Sequence, residues 1–371
     1  MPRTYQVAET RWAGLGPYYA MFPVEFADAV VSRYTQPGDT VLDPFAGRGT
    51  AVFSAAVLNR LGIGIEINPV GYVYAAAKLG AASREEVEER LNEIGNLSVY
   101  FGDEASRLPR FFHCCFSRSV RRFLVTARQE LNWRRSKVDR TLMALLLVSL
   151  HGKAGTALSN QLRQTKAMSP QYAIRWWKEG GYRPPQIDPV EFVKSRLNWR
   201  YAKGTPKIDA RCRTYLGSSL TKLPQLQRNV EAGSLSKVDL LFTSPPYCAV
   251  TNYHYDQWLR LWLLGGSPNA LREGHGRGGK FEGRDRYRKM LEGVFAKAAP
   301  LLQPDATVYV RTDARQFTYD TTVDVLKAVF NNKRMRQIRR PLLRPSQTSL
   351  FGERRTTMEH AGEVDLVLQP R

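Results

Sequence analysis

Cysteine and histidine are scarce in this chain. Four cysteines, Cys114, Cys115, Cys212 and Cys248, and five histidines are spread over 371 residues. No cysteine forms a C-x-x-C pair, which argues against a zinc site, and so thin a supply argues against a disulfide framework, in keeping with a reducing compartment. Long apolar runs are missing too. The longest, LMALLLVSL at 142–150, falls short of a membrane span and is flanked by charge. The amino terminus lacks the long apolar stretch of a signal peptide, so we expect a cytoplasmic protein with no membrane partner. Acidic residues are the third shortage: 34 stand against 55 Lys and Arg, a net charge of +21.

A hydrophobic content of 43% with 24% charged residues belongs to a globular protein. The length exceeds one small domain. The basic excess points to a polyanionic partner, most often nucleic acid, and it is concentrated. Residues 106–183 hold sixteen Lys and Arg against Glu130, Asp139 and Glu179, a net +13. Trp133, Tyr172, Trp176 and Trp177 lie among these charges. Arginines can contact phosphates while aromatics pack or intercalate, and the candidates are Arg121, Arg122, Arg134 and Arg135, with Arg339 and Arg340 in a second basic stretch, RMRQIRRPLLRPSQ. The alternative for such a run is a solvated helix face.

The pattern along the chain alternates strand and helix. PVEFADAVVSRYT reads as a helix ended by Pro37-Gly38, TVL before DPFAGRGT as a buried strand, AVFSAAVLNRL as a helix, GIGIEINP as a second strand and GYVYAAAKLGA as a helix. This β-α-β-α order predicts an α/β fold with a doubly wound, Rossmann-like sheet. The rhythm breaks over 84–207, which carries helical patterning such as SREEVEERLNEIG, where Ser83 and Glu86 suit a capping box. It resumes with CRTYLGSSL, VDLLFTSPPY, the helix YRKMLEGVFAKAAPLL, the strand ATVYVRTD, the helix TTVDVLKAVFN and strands near RQIRRPL and EVDLVL. We therefore expect a sheet domain from 1–83 and 208–371, split by a mostly helical insertion over 84–207, with a Gly-rich loop at 265–285. No repeats or heptads are evident.

Two sequences should meet at the carboxyl ends of the strands, where open α/β sheets bind ligands. In DPFAGRGT, Gly47 and Gly49 let the backbone turn tightly before a helix; no Gly-Lys-Ser/Thr follows, so it is not a phosphate-binding P-loop. Glu66 ends the second strand, where a carboxylate often binds ribose hydroxyls. In TSPPY, two consecutive prolines fix φ and donate no backbone hydrogen bonds, so the chain is held rigidly where the strand stops.

Together DPFAGRGT and TSPPY strongly resemble the S-adenosylmethionine-dependent DNA methyltransferases that modify exocyclic amines. The Ser form of the second motif looks like the N4-cytosine members; Asp or Asn in its place is typical of N6-adenine members. The segment YYAMFPVEFADAVVSRYTQPGDTVLDPF resembles the one preceding the cofactor loop in this family. The resemblance implies a Rossmann-like methyltransferase sheet and S-adenosyl-L-methionine as cofactor. It implies that Phe45, Ala46, Gly47, Gly49 and Thr50 line the cofactor. Asp43 would orient its methionyl amino group, Glu66 its ribose, and Phe22 and Pro23 would cover its methionine end. Ser218, after Gly217, stands where the family usually has an acidic residue near the adenine. The order of cofactor loop, insertion and catalytic loop looks most like the class with target recognition between the motifs, which makes 84–207 the expected recognition domain. The resemblance also implies double-stranded DNA as partner, a bacterial or archaeal cytoplasm with association to the nucleoid through DNA, and a restriction endonuclease of the same specificity as a genetic partner.

The motif suits amine methylation. The N4 amine of cytosine is a poor nucleophile because its lone pair is delocalised into the ring. Ser244 Oγ and the Pro245 carbonyl can accept its two N–H bonds, Pro246 helps fix them, and Tyr247 offers a ring on which a flipped base can stack. Cys248 reads as a small packing residue rather than the nucleophile of ring methylation. Rival readings are an N6-adenine enzyme and an inactive DNA-binding protein.

Overall fold

The computed structural model describes residues 5–17, 22–153, 155–163, 168–248, 253–270, 283–341 and 362–371, with the side chains at 253–254 and 339–341 outside that description. Two compact units are formed. One comprises Ala20–Asn68, Ile208–Asn252 and Gly278–Arg371; the other comprises Met1–Tyr19, Pro69–Lys207 and Tyr253–Arg277.

The first unit is built on a seven-stranded sheet. Its strands are β1 (Thr40–Asp43), β2 (Leu61–Glu66), β3 (Arg213–Leu216), β4 (Val238–Thr243), β5 (Leu302–Asp313), β6 (Lys333–Pro341) and β7 (Gly362–Pro370), in the order β3-β2-β1-β4-β5-β7-β6. The first five in that order are mutually parallel; β7 runs antiparallel to both β5 and β6. The fold is therefore α/β and Rossmann-like, as the alternation predicts, and the strand order reverses between β1 and β4. Parallel strands are covered on both faces, which is why β1 and β2 are buried along their whole length. Phe22, Ala27, Val30 and Val31 pack against Val41, Leu240, Phe242, Tyr309 and Val367 to form one core. Gly62 is required by packing: a Cβ there would sit 2.4 Å from the carbonyl oxygen of Val52, so only glycine lets helix Thr50–Val57 lie this close to β2.

The second unit is helical. Its longer helices are Pro69–Leu79, Arg84–Leu97, Arg118–Glu130, Lys137–Ser149, Pro170–Glu179 and Pro189–Tyr201. Ser83 and Glu86 form the expected capping box, and Ser117, Ser136 and Asp188 cap three further helices. An aromatic cluster fills its interior: Phe112 lies 4.5 Å from Trp262, and Phe111 lies 4.9 Å from Trp258 and 5.4 Å from Trp177, ring centre to ring centre.

The bounds of this unit are wider than the expected 84–207. The short helix Ala8–Ala13 belongs to it because Trp12 packs edge-on against Tyr201 and donates from Nε1 to the Gly204 carbonyl at 3.1 Å. Helix Trp258–Leu263 belongs because its two tryptophans complete the aromatic core. Of the expected loop at 265–285, residues 271–282 lie outside the described residues, and the following helix begins earlier than its apolar pattern suggests, at Arg284.

Candidate active site

Buried polar residues of the sheet unit stand at the carboxyl ends of β1, β2, β4 and β5: Asp43, Glu66, Thr243 and Asp313. β1 ends in Asp43, 2% exposed. Its Oδ1 accepts from the Phe45 amide at 3.0 Å and from Thr243 Oγ1, at the end of β4, at 2.6 Å. That hydroxyl bridge joins the two strands at the place where their order reverses. The chain then turns: the Ala46 amide donates to Ile65 O at 3.0 Å, and Gly47 and Gly49 take φ of 54° and 75°, a left-handed conformation that glycine adopts without a Cβ clash. Gly49 caps helix Thr50–Val57, and the Thr50 hydroxyl accepts from Arg48 Nε at 3.3 Å.

Glu66 closes the same turn from β2. One carboxylate oxygen accepts the Gly47 amide and the other the Asn68 amide, each at 2.6 Å. Burial pushes its carboxyl up to about 8 against these two hydrogen bonds, and the Asp43 charge adds to the rise. Burial likewise pushes Asp43 up to about 7, opposed by the bonds from Thr243 and Phe45. Gly217 donates to the Glu66 carbonyl at 2.9 Å, bringing the end of β3 alongside. Ser218 caps helix Ser219–Glu231, its hydroxyl accepting from the Leu220 amide at 3.3 Å. The next residue, Ser219, donates to the Pro44 carbonyl and ties this turn to that of β1.

At the end of β4, Ser244 and Pro246 are half-buried and Pro245, Tyr247 and Cys248 are buried. Tyr247 OH donates to Glu363 Oε1 at 2.9 Å, and Ser244 Oγ lies 3.5 Å from Tyr247 OH as a donor. Burial, with the Glu363 carboxylate beside it, holds the Tyr247 phenol well above its ordinary value. Arg315 Nη2 donates to the Cys248 carbonyl at 2.9 Å and to Asp313 Oδ2 at 2.6 Å. Cys248 is thus enclosed, as expected for a packing residue.

Phe22 is stacked on Phe242 with ring centres 4.7 Å apart and is part of the core, while Pro23 precedes helix Val24–Tyr34 and is exposed. The sequence reading missed Glu363, Asp313, Arg315, Arg311 and Asp365. For four of them the signal was present as period-two alternation: Arg311 and Asp313 in VYVRTD, and Glu363 and Asp365 in GEVDLVL, place charges on one face of otherwise apolar strands, whereas Arg315 follows the strand and carries no such signal.

The helical unit carries the basic stretch. Arg134 lies over the Trp133 ring at 4.0 Å, and Arg134 and Arg135 are exposed. Arg121 and Arg122 are half-buried; Arg121 donates to the Phe116 carbonyl at 2.7 Å, and burial beside Arg118 lowers its guanidinium's proton affinity. Trp133 and Trp177 are buried, so these two aromatics pack; Tyr172 is 49% exposed. The Arg339 and Arg340 side chains lie outside the described residues; their backbone pairs with Val364 and Glu363. Among the described residues no helix is long and apolar enough to cross a membrane.

The residues of the β1–β2 turn fit S-adenosylmethionine. Each Glu66 oxygen spends one acceptor position on a backbone amide, and a carboxylate has about four, leaving capacity for a ribose diol. Gly47 and Gly49 keep side chains out of the turn.

Residues 2–78 match a family model described as DNA methylase, N6_N4_Mtase. The chain is 41% identical over 64 residues to the Type II methyltransferase M.XycI of Xanthomonas campestris pv. cyanopsidis, covering 17% of this chain and 21% of that protein. It is 25% identical over 294 residues to the Type II methyltransferase M.BsoBI of Geobacillus stearothermophilus, covering 69% of this chain and 53% of that protein. It is 43% identical over 54 residues to the Type II methyltransferase M.Cfr9I of Citrobacter freundii, covering 15% and 18%. The chain spans about half or less of the length of these curated relatives.

Proposed function

We propose that this chain, which matches the DNA methylase family model over residues 2–78 and resembles Type II methyltransferases, methylates the N4 amine of cytosine in double-stranded DNA, using S-adenosylmethionine. The observation that carries the reading is the junction of β1 and β4, where Asp43 and Thr243 share a hydrogen bond and Ser244-Pro245-Pro246-Tyr247 begins one residue later. This brings the turn suited to the cofactor and the motif suited to the amine to one strand-order reversal.

S-adenosylmethionine, when bound, supplies an electrophilic methyl on a cationic sulfonium. Asp43 orients the methionyl amino group, Glu66 holds the ribose, and Phe45, Ala46, Gly47, Gly49 and Thr50 line the turn. Ser218 offers the adenine an uncharged partner in place of an acid, Pro23 flanks the methionine end, and Phe22 supports it from the core. Ser244 Oγ and the Pro245 carbonyl accept the two N–H bonds of a base extruded from the duplex. That draws the nitrogen toward tetrahedral geometry and aims its lone pair at the methyl. The serine favours cytosine over adenine. Residues 84–207 would read the target, with Arg134 and Arg135 on phosphates. A restriction endonuclease of matching specificity fits the Type II designation of the relatives, and a cytoplasmic, DNA-associated location fits this role.

The test is label transfer from S-adenosylmethionine to mixed-sequence duplex DNA, followed by nucleoside mass spectrometry. N4-methylcytosine is the expected product. N6-methyladenine alone would overturn the choice of base, and binding without transfer would overturn the activity.

A further inference from the structure

A chain of hydrogen bonds leads away from Ser244 into the sheet. Ser244 Oγ faces Tyr247 OH at 3.5 Å, and Tyr247 OH meets Glu363 Oε1 at 2.9 Å. The other Glu363 oxygen is 3.3 Å from Arg311 Nη1. Arg311 is itself fixed: Asp365, fully buried, accepts from its Nε at 2.7 Å and its Nη2 at 3.0 Å, and Tyr309 OH donates to the same carboxylate at 2.8 Å. Arg311 and Tyr309 lie on β5 and Glu363 and Asp365 on β7, with Arg311 opposite Asp365 in the antiparallel ladder.

Such a chain has a direction. A carboxylate held against a guanidinium can only accept, so the Tyr247 phenol must donate to it. The phenol oxygen then presents lone pairs to Ser244. The single hydroxyl proton of Ser244 is drawn toward Tyr247, and its own lone pairs are left for a partner that donates. Reverse the last element, and the serine would present its proton instead, which an exocyclic amine with two N–H bonds cannot use. Hydrogen bonds of this kind tighten when the reacting complex forms.

We infer that Glu363, held by Arg311, is a positioning residue that sets Ser244 as a hydrogen-bond acceptor and so commits the site to an amine rather than a carbonyl. This rests on the proposed methyl transfer. Glu363 acts through Tyr247, the residue it bonds beside Ser244.

The experiment compares wild type, Glu363→Gln, Glu363→Asp, Tyr247→Phe and the double variant Tyr247→Phe/Glu363→Gln. It measures kcat, KM for duplex DNA, and S-adenosylmethionine Kd by calorimetry. The Gln amide can donate to the phenol and reverse the chain. Glu363→Gln is expected to lower kcat at least tenfold with cofactor Kd within twofold of wild type. Glu363→Asp, which keeps a carboxylate, should regain part of the loss. The double variant should be no more than twofold slower than the slower single variant, because both interrupt one path. An active wild type with Glu363→Gln at full kcat, or with losses that multiply in the double variant, overturns the inference alone. So does loss of cofactor binding in Glu363→Gln, which would make the role structural. A wild type that transfers no methyl to any DNA removes the proposed activity, and this inference with it.

Discussion

The two ends of the site are held in opposite ways. At the β1–β2 end, three of the four hydrogen bonds to Asp43 and Glu66 come from backbone amides, those of Phe45, Asn68 and Gly47, and the fourth from the Thr243 hydroxyl. At the β4 end, the Ser-Pro-Pro-Tyr segment is held by side chains far along the chain: Glu363 reaches Tyr247 and Arg315 reaches Cys248. Backbone amides in a tight turn need only glycines and a strand end, so a short motif specifies them. Side chains from β5 and β7 need the whole sheet assembled first. The first end should tolerate distant substitutions and fail locally; the second should be sensitive to residues that touch no ligand.

The largest effect should come from the remote support. Asp365→Ala leaves the buried Arg311 guanidinium without its bidentate partner, and breaking one side of such a pair costs about 3–5 kcal/mol. Urea unfolding should show a clear drop in midpoint; an unchanged midpoint would mean that the β5–β7 pair does not brace this end.

The local end should respond to pH. Asp43 and Glu66 have folded-state values raised to about 7 and about 8. Raised values mean that the folded state favours the protonated forms, so their contribution to stability is fully present below about pH 4 and is lost as the pH rises through 7 and 8. A cationic cofactor instead favours the ionised forms. Kd for S-adenosylmethionine should therefore tighten between pH 6 and 8.5, by at most about tenfold per unit for each proton released, with Glu66→Gln flattening the curve. Calorimetry in buffers of different ionisation heat checks both the affinity and the proton count, and a flat Kd with no proton release would contradict it.

A smaller local effect is expected for Gly49→Ala. At φ 75° a Cβ costs about 1–2 kcal/mol, felt at this turn as weaker cofactor affinity with DNA binding unchanged. The smallest effect belongs to the helical unit. Replacing the exposed Arg134 and Arg135 with Ala should reduce the slope of log K for DNA against log salt by up to about two, since each lost phosphate contact removes about 0.9. Arg121→Ala, which removes the bond to the Phe116 carbonyl, should instead lower the thermal midpoint. A salt slope unmoved by the first pair would take DNA contact away from this stretch.

The same contrast explains what the sequence could tell. Strand-helix alternation and the buried runs TVL and GIGIE were enough to read the parallel sheet, because burial on both faces makes such strands continuously apolar. Ser83 and Glu86 announced their capping box because both partners lie within one turn. DPFAGRGT announced its turn for the same reason. The polar braces of β5 and β7 were legible only in part: alternation puts Arg311 with Asp313, and Glu363 with Asp365, on single strand faces, but only the antiparallel register of β5 with β7 makes the two pairs neighbours. The bounds of the helical unit were hidden likewise, since Trp12 and Trp262 join it through tertiary packing that no local pattern signals.

The most direct test of two separately built ends is a matched pair, Ser244→Ala and Glu66→Ala, each measured for S-adenosylmethionine Kd and for single-turnover methyl transfer at saturating cofactor. Ser244→Ala should slow transfer roughly 100-fold with Kd within twofold of wild type, while Glu66→Ala should weaken Kd roughly 30-fold, or about 2 kcal/mol, and largely recover its rate when saturated. Loss of cofactor binding in a folded Ser244→Ala protein, or a Glu66→Ala protein with wild-type Kd, would contradict the account.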